Sequence, residues 1–206
     1  MSTVADSSLP SIDAEEQARA DLYALLSRLF AAPPDSELLR GIASSSNAAS
    51  SSAGETAGEF VQSWADLVSM AGKANVAAIA DEYHELFVGS GRAEISLYIG
   101  AHTARSSVDT PLVALRDYLA SHGLQRQTGV HEPEDHIAML FEIMRYLISE
   151  ARSSVDQQKS FFEKFLWSGG VLLCDAITAH PRTHFYRPVA DLTKKFLFVE
   201  HDAFDM

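Results

Sequence analysis

The sequence predicts an all-α protein, built as a single globular domain of roughly eight to ten helices. Apolar residues recur at three- and four-residue steps along most of the chain, which is the spacing of one face of an α-helix. No segment alternates apolar and polar residues between hairpin turns, so strands are not predicted. The 206 residues suffice for one domain with a sizeable core.

Composition predicts how the domain is organised. Residues 1–12 are expected to form a flexible N-terminus, and residues 13–202 the helical domain. The stretch at 44–55 is rich in serine and alanine and has little to bury, which predicts a flexible loop inside that domain.

Helices in the first half of the chain are bounded by capping residues and helix breakers. Ser11 or Asp13 can cap a helix over residues 13–32, and the Pro33–Pro34 pair stops it. Residues 88–110 contain three glycines and predict a long loop with about one turn of helix, a length that is often functional. The other helices predicted here cover residues 36–43, 56–71 and 75–87.

Prolines mark helix starts in the second half. Pro111 is expected to open a helix that runs to His122, and Pro133 is expected to open the next one. Three further helices are predicted at residues 155–166, 171–179 and 189–200.

Charge and cysteine content exclude several classes of function. Asp and Glu exceed Lys and Arg by 28 to 16, and this net charge of -12 disfavours contact with a nucleic-acid backbone. It suits a basic partner, or serves solubility alone. Cys174 is the only cysteine, so no internal disulfide is possible, and its apolar surroundings predict a buried structural thiol. Neither a secretory signal nor a membrane span is evident, so the cytoplasm is the expected location.

Two histidine pairs were weighed as metal sites, and neither has suitable spacing. His131 and His136 are five residues apart with Pro133 between them, so they cannot share one helical face. His180 and His184 are four apart, but Pro181 breaks the helix between them. No serine, cysteine or paired-carboxylate arrangement predicts catalysis either, so we expect a binding protein without a metal or cofactor of its own.

The acidic cluster before residue 137 has a structural interpretation. Pro133 suits the first helical position, while Glu134 and Asp135 would lie in the first turn, near the positive end of the helix dipole. This interpretation leaves His136 unexplained.

Two motifs carry a resemblance to a known family. Residues 83–89, Tyr-His-Glu-Leu-Phe-Val-Gly, resemble the Y-x-x-L-F-x-G motif of the TorD/DmsD family of redox-enzyme maturation chaperones. Residues 132–136, Glu-Pro-Glu-Asp-His, resemble the family's more specific E-P-x-D-H motif. The resemblance covers about residues 13–200 and implies an all-helical fold.

The resemblance also implies a function. The chain would bind the twin-arginine signal peptide and the apo form of a molybdenum-cofactor enzyme, assist cofactor insertion and delay export, as a monomer or a domain-swapped dimer. At residues 95–102 the chain has ISLYIGAH, without the Pro or Trp that the family often carries. The partner-binding residues implied by the match are Tyr83, Leu86, Phe87, Leu97, Tyr98, Glu132, Pro133, Asp135 and His136.

Alternatives stay open at this point. Leu86 and Phe87 are equally compatible with simple core packing. The client could be a subunit that is never exported, as for nitrate-reductase-type assembly chaperones. A small helical enzyme that uses the Glu/Asp/His cluster is the third possibility.

Overall fold

The computed structural model describes residues 12–45, 55–103, 111–121 and 133–206. These residues form ten α-helices and two π-helical segments, with no strand among them, which confirms the all-α prediction. The α-helices are α1 Ala14–Ala31, α2 Ser36–Ser44, α3 Glu55–Ala71, α4 Val76–Tyr83, α5 Gly100–Thr103, α6 Pro111–Ser121, α7 Ile137–Ser149, α8 Val155–Phe161, α9 Ser168–Ala179 and α10 Tyr186–Phe204. The π-helical segments are His84–Val88 and Phe162–Trp167.

Helix starts near the N-terminus follow the local sequence. The carboxylate of Asp13 accepts the N–H of Glu16 at 2.8 Å and caps α1. Asp35 caps α2 in the same way, through the N–H of Leu38. A polar side chain before the helix satisfies backbone donors that have no partner inside it, so these boundaries are set by neighbouring residues.

The predicted start of α7 at Pro133 is wrong. The helix begins at Ile137, and His136 is its N-cap, with Nδ1 accepting the N–H of Ala138 at 3.3 Å. Glu134 and Asp135 therefore precede the helix instead of forming its first turn. Glu134 instead forms an ion pair with Arg116 of α6 at 3.0 Å.

The predicted break before residue 171 is also wrong. Helix α8, the π-helical segment and α9 run on without interruption from residue 155 to 179. Gly169 and Gly170 are poor helix formers, but they lie inside this long helix because neighbours approach closely there. A Cβ on Gly169 would overlap the Ile99 side chain, and one on Gly170 would come within 2.9 Å of Leu197 Cδ1.

The last helix starts three residues earlier than predicted and extends to Phe204. Its N-terminus is capped from a distance by Glu82 of α4. The Glu82 carboxylate accepts the backbone N–H groups of His184, Phe185 and Tyr186, each at 2.9 Å. Pro188 is tolerated in the first turn, where a missing N–H costs no internal hydrogen bond.

A central pair of helices, α1 and α7, organises the core. Helix α10 packs against α3 and α9, and α5 rests on α9. Large aromatic side chains fill the interior, among them the fully buried Tyr23, Phe30, Phe141 and Tyr186. Cys174 is also buried, as predicted.

A buried ion pair joins α1 to α10. The Arg19 guanidinium donates to both carboxylate oxygens of Glu200, at 2.7 and 2.8 Å, and Tyr23 Oη donates to the same carboxylate at 2.9 Å. Arg19 also donates to the fully buried Gln158 of α8. The Glu200 carboxylate is buried, while the Arg19 side chain is 19% exposed. The partnered charges satisfy one another, so the network fixes how three helices meet.

Some predicted features fall on residues that the structure does not describe. They are the N-terminus up to residue 11, most of the Ser-rich stretch, residues 104–110 of the long loop, and residues 122–132. None of the described helices combines the length and apolar character that crossing a bilayer requires.

Candidate peptide-binding groove

A groove with a cavity volume of about 700 Å³ opens between α1, the end of α4 and the start of α7. The α1 side is lined by Ser27, Ala31, Ala32 and Pro33. These side chains are small, and the Ser27 hydroxyl donates to the carbonyl oxygen of Ala138 at 2.8 Å, which holds α1 close to α7. Small residues on one wall leave space that a ligand can occupy.

The second wall is aromatic and is built on the π-helical segment after α4. Tyr83 and Phe87 line it with their rings in a T-shaped contact at 5.3 Å. Phe87 in turn contacts Tyr186 of α10 at 5.0 Å, and Tyr83 Oη donates to the carbonyl oxygen of Phe30. The wall is therefore held rigidly from behind, by α1 and α10.

Gly89 ends this segment and turns the chain sharply. Its φ of 64° lies in the left-handed region, and a Cβ there would overlap the carbonyl oxygen of Arg92. Only glycine meets both conditions without strain. The turn brings Ala93, Leu97 and Tyr98 back along the groove.

Residues 97–99 pair with the start of α7 through one antiparallel bridge, between Tyr98 and His136. The N–H of Ile99 donates to the carbonyl oxygen of Asp135, and the N–H of Ile137 donates to that of Leu97. Side chains alternate along this short stretch, so Ile95, Leu97 and Ile99 are buried. The ISLYIGAH segment is thus held in place although it contains no Pro or Trp.

Asp135 and His136, the last two residues of the E-P-x-D-H motif, act differently. Asp135 Oδ2 accepts the N–H of Gly100 at 3.2 Å and so anchors the start of α5. His136 caps α7, and its ring also lines the groove, in a T-shaped contact with Tyr98 at 5.2 Å.

The structure brings together five of the nine predicted partner-binding residues, while Leu86, Pro133 and Asp135 do not line the groove. Leu86 is fully buried in the core, and its carbonyl oxygen accepts the N–H of Ile95. Glu132 lies outside the described residues. The five that share the groove are Tyr83, Phe87, Leu97, Tyr98 and His136.

Sequence reasoning missed the small and the charged parts of the lining. On α7 the groove is lined by Ala138, Met139 and Glu142, at the one- and four-residue spacing of a single helical face. The run Ala31–Ala32–Pro33, read only as a helix end, supplies the opposite side. Glu142 follows Ala138 by four residues and Met139 by three, so it shares their helical face.

Electrostatically the groove is simple. Among the described residues that line it, Glu142 is the only one with a charged carboxylate or cationic side chain, and it is about half exposed. The arrangement suits an apolar segment that carries a positive charge at one end.

Metal chemistry finds no support in the described parts of the chain, where no group of three or more His, Cys, Asp or Glu side chains could hold an ion. His180 is instead paired with Glu94, with Nε2 at 3.0 Å from Oε2. His131 lies outside the described residues.

The described residues thus form an all-α fold with an open, largely apolar groove. The chain belongs to the family described as nitrate reductase delta subunit, whose profile matches residues 53–171. It is a member of the TorD/DmsD group of chaperones, as the two motifs indicated.

Individual relatives agree with this assignment. The chaperone protein TorD of Colwellia psychrerythraea is 25% identical over 97% of each chain. TorD of Shewanella loihica is 28% identical over 94% of this chain and 97% of the relative. The Tat proofreading chaperone DmsD of Haemophilus influenzae is 31% identical over 122 residues, which is 58% of each chain.

A solved structure shares the fold. A protein from Archaeoglobus fulgidus, described as a redox enzyme maturation protein, superposes with a TM-score of 0.59 at 16% identity. The match covers 93% of this chain and 99% of that one, so the likeness extends over the whole helical domain.

Proposed function

We propose that this protein is a cytoplasmic chaperone that binds the twin-arginine signal peptide and the apo form of a molybdenum-cofactor oxidoreductase. By holding the apoenzyme it assists cofactor insertion and delays export, and it acts by binding and not by catalysis. The observation that carries this proposal is the groove of about 700 Å³, apolar along its walls and acidic at Glu142.

Shape supports a peptide ligand. Two walls lined by Phe87, Leu97 and Ala31 leave an open channel whose volume lies within the range of pockets that enclose drug-sized ligands. The apolar part of a signal peptide forms a helix readily, and helices dock by laying an apolar face into such a groove. Burying that face supplies most of the binding free energy.

The negative charge of the protein supports a ligand that is positively charged at one end. A twin-arginine signal places two cations directly before its apolar segment. The net charge of -12 attracts such a peptide over distance, while Glu142 offers a local acceptor at one end of the groove. Exposed charge pairs are screened by salt over about 8 Å at physiological ionic strength.

The names of the relatives favour the same function. DmsD of Haemophilus influenzae is named a Tat proofreading chaperone, and the matched stretch covers 58% of that protein. A second candidate client follows from the family description, which names a nitrate reductase subunit. In that case the groove would bind a segment of a mature subunit that is not exported.

A titration with defined peptides tests the proposal. The probe is a synthetic peptide with two consecutive arginines followed by an apolar stretch, and the matched control is the same composition in scrambled order. We expect saturable binding of the first peptide and at least several-fold weaker binding of the scrambled one. The affinity should fall with added salt but not vanish, because the apolar segment also contributes.

Affinity capture from the native cell extract identifies the client. Co-purification of a molybdoenzyme precursor that still carries its signal peptide supports export control. Capture of a mature subunit without a twin-arginine signal would support the second candidate. Absence of binding by the arginine peptide, together with capture of no oxidoreductase, would refute both.

A further inference from the structure

The acidic end of the groove is already occupied by a cation from the protein itself. On α7, the Nε and Nη2 atoms of Arg145 donate to Oε1 of Glu142, at 2.8 and 2.7 Å. Among the described residues none donates to Oε2 of Glu142, so the carboxylate retains acceptor capacity. A guanidinium thus rests on Glu142, the one carboxylate among the described residues that line the groove.

Arg145 does not depend on Glu142 alone. Its Nη2 also donates to Glu150 at 2.8 Å, and its Nη1 donates to the hydroxyl of Ser149 at 3.2 Å. The hydrogen bond to Glu142 is the largest cause, and that to Glu150 the second, of the raised pKa of the Arg145 guanidinium. If Arg145 moved off Glu142, two partners at the end of α7 would still hold it.

Position along the helix relates Glu142 to the rest of the site. A rise of 1.5 Å per residue places Glu142 about 9 Å along α7 from His136. Ala138 and Met139 lie between them on the groove face. A ligand along this face would therefore place its apolar part near His136 and its charged part near Glu142.

We propose that Glu142 is the residue that selects arginine in the ligand, and that Arg145 is a built-in competitor which an incoming arginine displaces toward Glu150. This inference rests on the proposed function and names the contact that determines its specificity. The ligand guanidinium takes the place that the Arg145 guanidinium holds in the free protein. The planar fork of arginine matches a carboxylate better than the ammonium of lysine does.

If Arg145 competes with the ligand's arginine for Glu142, removing the Arg145 cation should strengthen the binding of a cationic peptide. In Arg145→Met, Glu142 is free, and the twin-arginine peptide should bind about two- to fivefold more tightly. In Glu142→Gln, the same peptide should bind about three- to tenfold more weakly, because the contact is only half buried. In Glu150→Gln, Arg145 has lost its alternative partner, so binding should weaken.

The chain offers a matched control pair. Lys194 and Asp175 form an ion pair at 2.6 Å, and their side chains are 33% and 49% exposed, against 26% and 46% for Arg145 and Glu142. Neither residue of the control pair lines the groove. Lys194→Met changes the net charge by the same amount as Arg145→Met, and Asp175→Asn by the same amount as Glu142→Gln, so the control pair reports how much of any effect is long-range attraction.

The experiment measures the affinity of each variant for two peptides, one with two arginines and one with two glutamines before the same apolar segment. We expect Glu142→Gln and Arg145→Met to shift the affinity of the arginine peptide in opposite directions, and to leave the glutamine peptide within about twofold. The control pair should change both affinities little. Circular dichroism and urea unfolding verify that every variant is folded.

Three outcomes would overturn the inference. Equal weakening of both peptides by Glu142→Gln would mean that Glu142 acts on the shape of the groove. Shifts of the same size in Lys194→Met and Arg145→Met would mean that only net charge matters. If the wild-type protein binds neither peptide, the proposed function itself fails, whereas normal peptide binding by Glu142→Gln overturns the arginine contact alone.

Discussion

Removal of the Glu82 carboxylate should destabilise the fold measurably, because one side chain caps a helix more than a hundred residues away. Its oxygens accept three backbone N–H groups at the start of α10, each at 2.9 Å. Loss of an N-cap costs about 0.5–2 kcal/mol, and a hydrogen bond to a charged group is worth about 1.5–3 kcal/mol. One of the three bonds is exposed, so water replaces part of what is lost.

We therefore expect Glu82→Ala to lower the free energy of unfolding by about 2 kcal/mol, and Tm by about 4–8 °C for a chain of this size. Glu82→Gln keeps a neutral acceptor and should lose about half as much. Urea unfolding monitored by circular dichroism gives the measurement. Glu85→Ala is the control, since this side chain is 60% exposed and reaches Arg182 only at 3.6 Å. A loss in Glu82→Ala no larger than in the control would refute the capping argument.

Three further predictions concern the cap, the helix contact and pH. His136→Ala should cost about 1 kcal/mol of stability, while His136→Asn keeps a good N-cap and should cost less than half of that. Both variants should weaken peptide binding. Urea unfolding measures the effect on stability, and peptide titration measures the effect on binding. Gly169→Ala should destabilise by about 1–3 kcal/mol, because the added methyl overlaps a packed loop residue, whereas Gly41→Ala, where a Cβ has open space, should stabilise by about 0.5–1 kcal/mol in the same assay. Burial raises the pKa of the Cys174 thiol and of the Tyr23 phenol, so the unfolded chain releases these protons at lower pH than the folded chain does. Stability should therefore fall progressively above about pH 9. An unfolding free energy that does not change between about pH 8 and 10.5 would contradict this.

Sequence patterns predicted those parts of the fold that neighbouring residues determine. Asp13, one of the two predicted candidates, caps α1, and the Pro33–Pro34 pair ends the first helix, as local propensity requires. In such elements the information lies within a few residues of the boundary.

Two of the errors occur where distant residues determine a boundary, whereas the start of α7 was misplaced although its N-cap, His136, is a neighbouring residue. The start of α10 depends on Glu82, which no local pattern connects to residue 184. Gly169 and Gly170 look like a helix break, yet their contacts with Ile99 and Leu197 make the absence of a side chain necessary. Tertiary contacts overrode local propensity in both cases.

The groove was predicted in part, for a related reason. The motif at residues 83–89 identified the aromatic wall, and the motif at 132–136 identified His136. Small residues such as Ala31 and Ala138 carry no signal of their own, because their contribution is the space they leave. Pro133 and Asp135 lie beside the groove instead, where Asp135 anchors α5 through a backbone N–H.

Filling the groove tests the central claim most directly. Ala31 is exposed at the end of α1 and lines the groove, so Ala31→Trp should occupy the channel without disturbing the core. The control is Ala77→Trp, at an alanine on α4 that is also exposed and does not line the groove. We expect both variants to unfold within about 0.5 kcal/mol of the wild type. Ala31→Trp alone should bind the twin-arginine peptide at least about tenfold more weakly, a difference of about 1.4 kcal/mol. Wild-type affinity in a folded Ala31→Trp variant would show that the peptide binds elsewhere, and would contradict the account.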